Sequence, residues 1–89
     1  MRFVWDGSKA AANERKHKVS FEEAATVLAD PLALFIEDDT NPENARVIGQ
    51  SRGERLLLVV YVERGTDVLR LISARRATSH ERKRYEEER

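Results

Sequence analysis

Twelve of the sixteen basic residues in this 89-residue chain are arginine; two histidines and two tyrosines stand beside them, with no cysteine. Arginine presents a planar fork that meets phosphate or carboxylate oxygens two at a time and stays charged at physiological pH. His17 is the histidine outside the last helix, and its unperturbed pKa suits proton transfer near neutrality. The lack of cysteine excludes a thiolate nucleophile, a thiolate metal site and a disulfide framework. Glycines stand singly at positions 7, 49, 53 and 65, so no glycine-rich loop is available to cradle a phosphate. His17 and His80, without an HExxH or EF-hand pattern, supply metal ligation poorly. Nucleophilic triads lack a usable nucleophile next to a histidine. What remains is an arginine set with a histidine and the C-terminal Tyr85. Metal-free RNA cleavage needs a base for the 2′-hydroxyl, cations for the phosphorane and an acid for the leaving oxygen. Arginines supply the second role directly. The same arginines serve equally well as a docking surface for an acidic partner, and composition leaves both roles open.

Net charge is zero, but the charges are segregated. Residues 1–18 sum to +3, residues 19–44 hold seven acids and no base, and residues 45–85 sum to +6. A neutral chain would normally argue against nucleic acid, because phosphate binding is driven by counterion release. Segregation weakens that objection, since a folded chain can show a basic face beside an acidic one.

The elements that must position these groups follow from pattern. Residues 2–5 read as a short strand. Asp6 suits the N-cap of a helix over residues 8–17, whose bases Arg15 and Lys16 complement the dipole in its last turn. Ser20 with Glu23 forms a capping box for a second helix, in which Phe21, Ala24, Ala25 and Leu28 share one face until Asp30-Pro31 ends it. A short strand at 32–36 and an acidic loop at 37–44 precede three strands, at 46–50, 55–62 and 68–74, joined as a meander. The apolar run 56–62 does not alternate, so its strand is expected to be central. Thr78 and Glu81 open a final helix to about residue 87, with Tyr85 as its one large apolar residue. Its base-before-acid pairs are the weaker order, so this helix needs something to hold it.

Meander geometry brings Arg52, Arg55, Arg75 and Arg76 to one end of the sheet. Arg64 lies in the opposite turn, roughly 20 Å away if seven residues intervene at about 3.3 Å each. Plainer roles stand beside these. Adjacent Arg75-Arg76 splits readily into one surface charge and one salt bridge. His17 suits a dipole-complementing position at a helix end, and Tyr85 suits a packing anchor. The chain length fits one domain over residues 1–89. Residues 1–7, with Arg2, Trp5 and Asp6, do not read as a signal peptide, and the run 56–62 is too short to cross a bilayer. A soluble cytoplasmic domain is the expected class.

The residues also resemble a known family. Phe3-Val4-Trp5-Asp6, then Lys9, Asn13, Lys16-His17 and Val19-Ser20-Phe21-Glu22-Glu23-Ala24, are similar to the opening of BrnT-family toxins. Asp30-Pro31, Ile48-Gly49, the strand leading to Glu63-Arg64-Gly65, and Ile72-Ser73-Ala74-Arg75-Arg76-Ala77-Thr78 continue the likeness in order, as far as Tyr85. The resemblance implies an α+β, RelE-like compact domain of order β-α-α-β-β-β-β-α. Its antiparallel meander sheet would be packed by the two N-terminal helices, with a C-terminal helix. It implies a ribonuclease toxin of a type II toxin–antitoxin module that halts translation and growth, using neither metal nor cofactor. Its partners would be RNA and a BrnA-like ribbon-helix-helix antitoxin, with DNA reached only through the antitoxin and no membrane involved. Carried onto matching positions, the catalytic candidates are Arg75, Arg76, His17, Tyr85 and Arg64. Arg52, Arg55, Lys9, Lys16 and Lys83 are the candidates for holding RNA. The alternative is a non-catalytic antitoxin-binding or co-repressor protein. One departure is local: the family usually has glycine where this chain has Lys18. A left-handed backbone there would cost on the order of 1 kcal/mol.

Overall fold

The computed structural model describes residues 1–88. Strand β1 (Arg2–Val4) leads to helix α1 (Gly7–His17), where the Asp6 carboxylate accepts the backbone N–H groups of Ser8 at 2.8 Å and Lys9 at 3.1 Å. The α1 helix ends at Lys18, which is left-handed at φ 60°. Its N–H closes onto the Glu14 carbonyl, a position that favours glycine and holds lysine here. Helix α2 (Phe21–Thr26) tightens into a 3₁₀ turn (Val27–Ala29), so the α-helix is shorter than its apolar spacing predicts. The Ser20 hydroxyl caps it by accepting the Glu23 N–H at 3.0 Å. Glu23 does not complete the expected capping box, because its carboxylate is drawn away to Arg55.

Strands β2 (Leu34–Glu37), β3 (Ala45–Gln50), β4 (Leu56–Glu63) and β5 (Val68–Arg76) form the antiparallel meander. Strand β1 adds to β5 in parallel, giving the order β1-β5-β4-β3-β2 with β4 in the middle. A bulge near Val60/Tyr61 leaves Ile72 unpaired on β5. Helix α3 (Ser79–Glu87) opens on a complete capping box between Thr78 and Glu81.

Alternation sorts the strand residues between two faces. Val47, Leu57, Val59, Tyr61, Leu71 and Ala74 meet Val19, Phe21, Ala24 and Val27 beneath α1 and α2. Trp5 closes this core edge-on to Phe21, with ring centroids 5.9 Å apart. Gly49 permits the close approach: a Cβ there would lie 2.7 Å from Val27 Cγ1. On the other face Ile48, Leu56 and Leu58 receive Tyr85, the anchor that holds α3 despite its unfavourable charge order.

One buried polar side chain locks helix to sheet. Asn13 Nδ2 donates to the carbonyls of Val19 (3.0 Å) and Ala74 (2.9 Å), and its Oδ1 accepts the Ala74 N–H at 3.1 Å. All of its hydrogen-bonding capacity but one lone pair is used in ordering α1, β5 and the corner before α2.

Candidate functional site

The Asn13 clamp fixes where α1 ends. Ala74 lies two residues before Arg76, and the Lys18 carbonyl accepts Arg55 Nη2 at 3.0 Å. The C-terminus of α1, carrying half-buried His17, therefore sits at the end of the sheet that bears Arg55 and Arg76. The His17 side chain makes no hydrogen bond among the described residues.

The four arginines expected at this end are present there, but their environments differ. Arg55 Nε donates to Glu23 Oε2 at 3.0 Å and Arg55 Nη2 pairs with Glu23 Oε1. The Ser51 hydroxyl donates to Glu23 Oε2 at 2.7 Å. The Arg55 hydrogen bonds, ahead of those from Ser51, hold the Glu23 carboxyl below its usual range. Arg75 sits on the opposite sheet face, paired across from Leu58. There it grips Glu81 through two parallel bonds of 2.9 Å. Glu81 is held below its ordinary value first by Arg75, and its Oε1 also accepts the Thr78 N–H at 2.9 Å. Arg75 thus stitches α3 to the end of β5. Its charge is already met by a carboxylate.

Arg76 emerges opposite Leu57, is exposed, and has no ion pair among the described residues. With Arg82 from α3, and with Arg55, Gln50, Glu54, Leu56 and Ala77, it lines a groove of about 280 Å³. Arg82, likewise unpaired among the described residues, had no signal beyond its place in the last helix. Gln50 is the other addition, brought in because β3 ends beside the start of β4. The groove offers two guanidinium groups without an ion pair among the described residues and one side-chain amide, with the Glu54 carboxylate also on its lining. That donor set suits a phosphodiester.

Tyr85 lies away from this groove's lining. It is buried, and its hydroxyl donates to Asp30 Oδ2 at 2.6 Å. The same oxygen accepts the Gln50 N–H at 2.8 Å, while Asp30 Oδ1 accepts that of Leu32 at 2.8 Å. Proton transfer by Tyr85 would require this link between α3 and the Asp30-Pro31 corner to break. Arg52 is exposed on the turn after Ser51, its backbone N–H donating to Thr26 Oγ1 at 2.8 Å. Lys16 is exposed in the last turn of α1, and Lys83 is exposed on α3. Lys9 is in the first turn of α1, eight residues and roughly 12 Å along the axis from His17. Arg64 lies beyond β4 at the opposite end of the sheet, as its turn position predicts. The structure does not bring Arg64 or Lys9 to the arginine groove.

The two ends of the sheet are electrostatic opposites. The larger groove, about 840 Å³, lies at the far end and is lined by Glu37, Asp38, Asp39, Glu43 and Glu63 around Phe35 and Arg46. An approaching anion is drawn to the smaller groove rather than the larger, because charge rather than volume decides what an anion approaches. Among the described residues, no three histidine, aspartate or glutamate side chains gather as metal ligands. No helix among them is long and apolar enough to cross a membrane.

A family model described as "Ribonuclease toxin, BrnT, of type II toxin-antitoxin system" matches residues 5–81. The 1.1 Å crystal structure of the Brucella abortus ribonuclease toxin BrnT superposes with a TM-score of 0.73 at 25% identity. That match covers 89% of this chain and 99% of the other. A search of curated proteins finds no match.

Proposed function

Since the chain belongs to the BrnT family of ribonuclease toxins of type II toxin–antitoxin systems, we propose that it cleaves RNA without a metal ion, in the groove between Arg76 and Arg82. In this reading the whole chain acts as one toxin domain in the cytoplasm. It is neutralised by a ribbon-helix-helix antitoxin through which alone it reaches DNA. The single observation that carries the site is that Arg76 and Arg82 line one groove without forming an ion pair among the described residues, beside the end of α1. Arg55 and Arg75, by contrast, are already committed to Glu23 and Glu81.

His17 takes the proton of a 2′-hydroxyl, the 2′-oxygen bonds to phosphorus, and the P–O5′ bond breaks. The imidazolium returns the proton to the leaving oxygen, giving a 2′,3′-cyclic phosphate and a 5′-hydroxyl. Arg76 and Arg82 meet the extra negative charge on the phosphorane, where fixed donors stabilise the transition state more than the ground state. Arg52, Lys16 and Lys83 add field along the strand's path, while Arg55, paired with Glu23, ties the end of α1 to the sheet. Arg75 and Tyr85 act by holding α3, and hence Arg82, in place.

End-mapping of a long structured RNA incubated with the purified chain in EDTA tests this reading. Discrete cuts ending in cyclic phosphate, lost with Arg76→Ala, are the expected result. Equal cutting by Arg76→Ala and wild type would overturn the site assignment. Cutting only with added divalent ion would overturn the metal-free chemistry.

A further inference from the structure

Helix α3 covers only part of its sheet face. On the remainder, Val60 and Val62 of β4, with Val4 and Val68, are half-buried and belong to neither hydrophobic core. Register places Arg46 of β3 and Ser73 of β5 on either side of Val60, and Arg70 of β5 beside Val62. Every charged strand residue on this face is an arginine, because Glu37 and Glu63 alternate to the other side. Arg75 is answered by Glu81 from α3, but neither Arg46 nor Arg70 forms an ion pair among the described residues. Arg46 Nη2 donates to the Glu37 carbonyl at 3.2 Å at the rim of the acidic groove, where its charge helps to lower the Asp38 carboxyl, and its buried Nε has no hydrogen-bond partner among the described residues. A buried donor left unmet costs free energy until a partner supplies an acceptor.

We infer that this open half-face is the seat of an acidic amphipathic helix contributed by the antitoxin, with Val60 and Val62 beneath its apolar stripe and Arg46 and Arg70 meeting its flanking carboxylates. The inference rests on the chain's membership of a toxin–antitoxin family and names the surface its protein partner uses. Dimensions fit: β3 and β5 are two strand spacings apart, about 10 Å, which is about the diameter of a helix. Charge fits as well, since one arginine without an ion pair among the described residues on each side of an apolar strip, Arg46 and Arg70, matches a helix with acids beside its apolar face. RNA is the poorer occupant. Trp5 and Tyr61 are taken into the other face's core, and Phe35 alternates to that side, so no aromatic ring on the open half can stack a base.

Calorimetric titration of the toxin with its purified cognate antitoxin, at low and high salt, tests the assignment. Wild-type affinity should weaken with salt. Arg46→Glu with Arg70→Glu should weaken it at least about tenfold and flatten the salt dependence. Arg70→Gln, which removes charge without reversing it, gives a smaller loss in the same direction and serves if the reversal disturbs folding. Methyl NMR on wild-type toxin provides a readout free of substitution, and the Val60 and Val62 signals should shift when antitoxin is added. Unchanged affinity in folded variants, or antitoxin shifts confined to the Arg76/Arg82 groove, would overturn the inference. Loss of RNA cleavage with intact antitoxin binding would also overturn it, assigning the face to RNA. If the chain alone cuts no RNA yet binds antitoxin through Val60 and Val62, the nuclease reading fails and this one stands.

Discussion

Adjacent arginines with opposite environments make the sharpest test. Arg75→Ala removes two 2.9 Å charge-assisted bonds to Glu81 and leaves that carboxylate, whose side chain is only 16% exposed, with the α3 cap alone. Hydrogen bonds between charged groups contribute about 1.5–3 kcal/mol. The 36% exposed Arg75 side chain lowers this through solvent screening, to about 1–2 kcal/mol. For a domain of this size each kcal/mol moves Tm by about 4–8 °C, so Arg75→Ala should melt roughly 5–15 °C below wild type. Arg76 is exposed and unpaired among the described residues, and its replacement by alanine should change stability by less than about 0.5 kcal/mol. Activity should divide the other way. Losing a fixed donor to the phosphorane costs about 10²–10³ in rate, so Arg76→Ala should lose cleavage while keeping its melt. Arg75→Ala should retain cutting at temperatures where it is folded. Thermal melts and cleavage rates on both variants, with Glu81→Gln completing a double-mutant cycle, measure each quantity. Equal melting losses, or no coupling between Arg75 and Glu81, would refute the division of roles drawn from these contacts.

Three further outcomes follow from the same geometry. Tyr85→Phe removes the hydroxyl that donates to Asp30; it should cost about 1 kcal/mol in a denaturant melt and leave the cleavage rate of folded protein unchanged. Lys18→Gly relieves a left-handed non-glycine residue and should raise Tm by a few degrees, from a gain of up to about 1 kcal/mol; a lower Tm would place the strain elsewhere. Because Arg75 lowers the folded-state pKa of Glu81 and Arg55 lowers that of Glu23, both contributions are present above the ordinary glutamate value of 4.5 and lost as pH falls through the depressed values. Melts in descending pH should therefore show a stability loss beginning near that value, and a smaller loss in the Glu81→Gln variant.

Local signals carried most of the fold. Asp6, Ser20 and Thr78 each cap the helix that their position announces, since capping involves residues two or three apart. The apolar run in β4 and its two flanking turns set the meander, for the same short-range reason. The resemblance to BrnT toxins was also legible, because it lies in residue order. Pairings between distant residues were not legible. Nothing in the neighbourhood of Glu23 says that its carboxylate leaves the α2 cap for Arg55, thirty-two residues on. Nor does any local pattern send the Tyr85 hydroxyl to Asp30, or Asn13 to Ala74. Those contacts decide which arginines keep an unanswered charge. Sequence by itself determined which strand and turn arginines reach one end of the sheet, through strand register and turn position. Only the tertiary structure determined that Arg55 and Arg75 are neutralised there and that Arg76 and Arg82 face solvent together. Electrostatic pairing depends on distance in space, and that distance exists only once the helices have packed on the sheet.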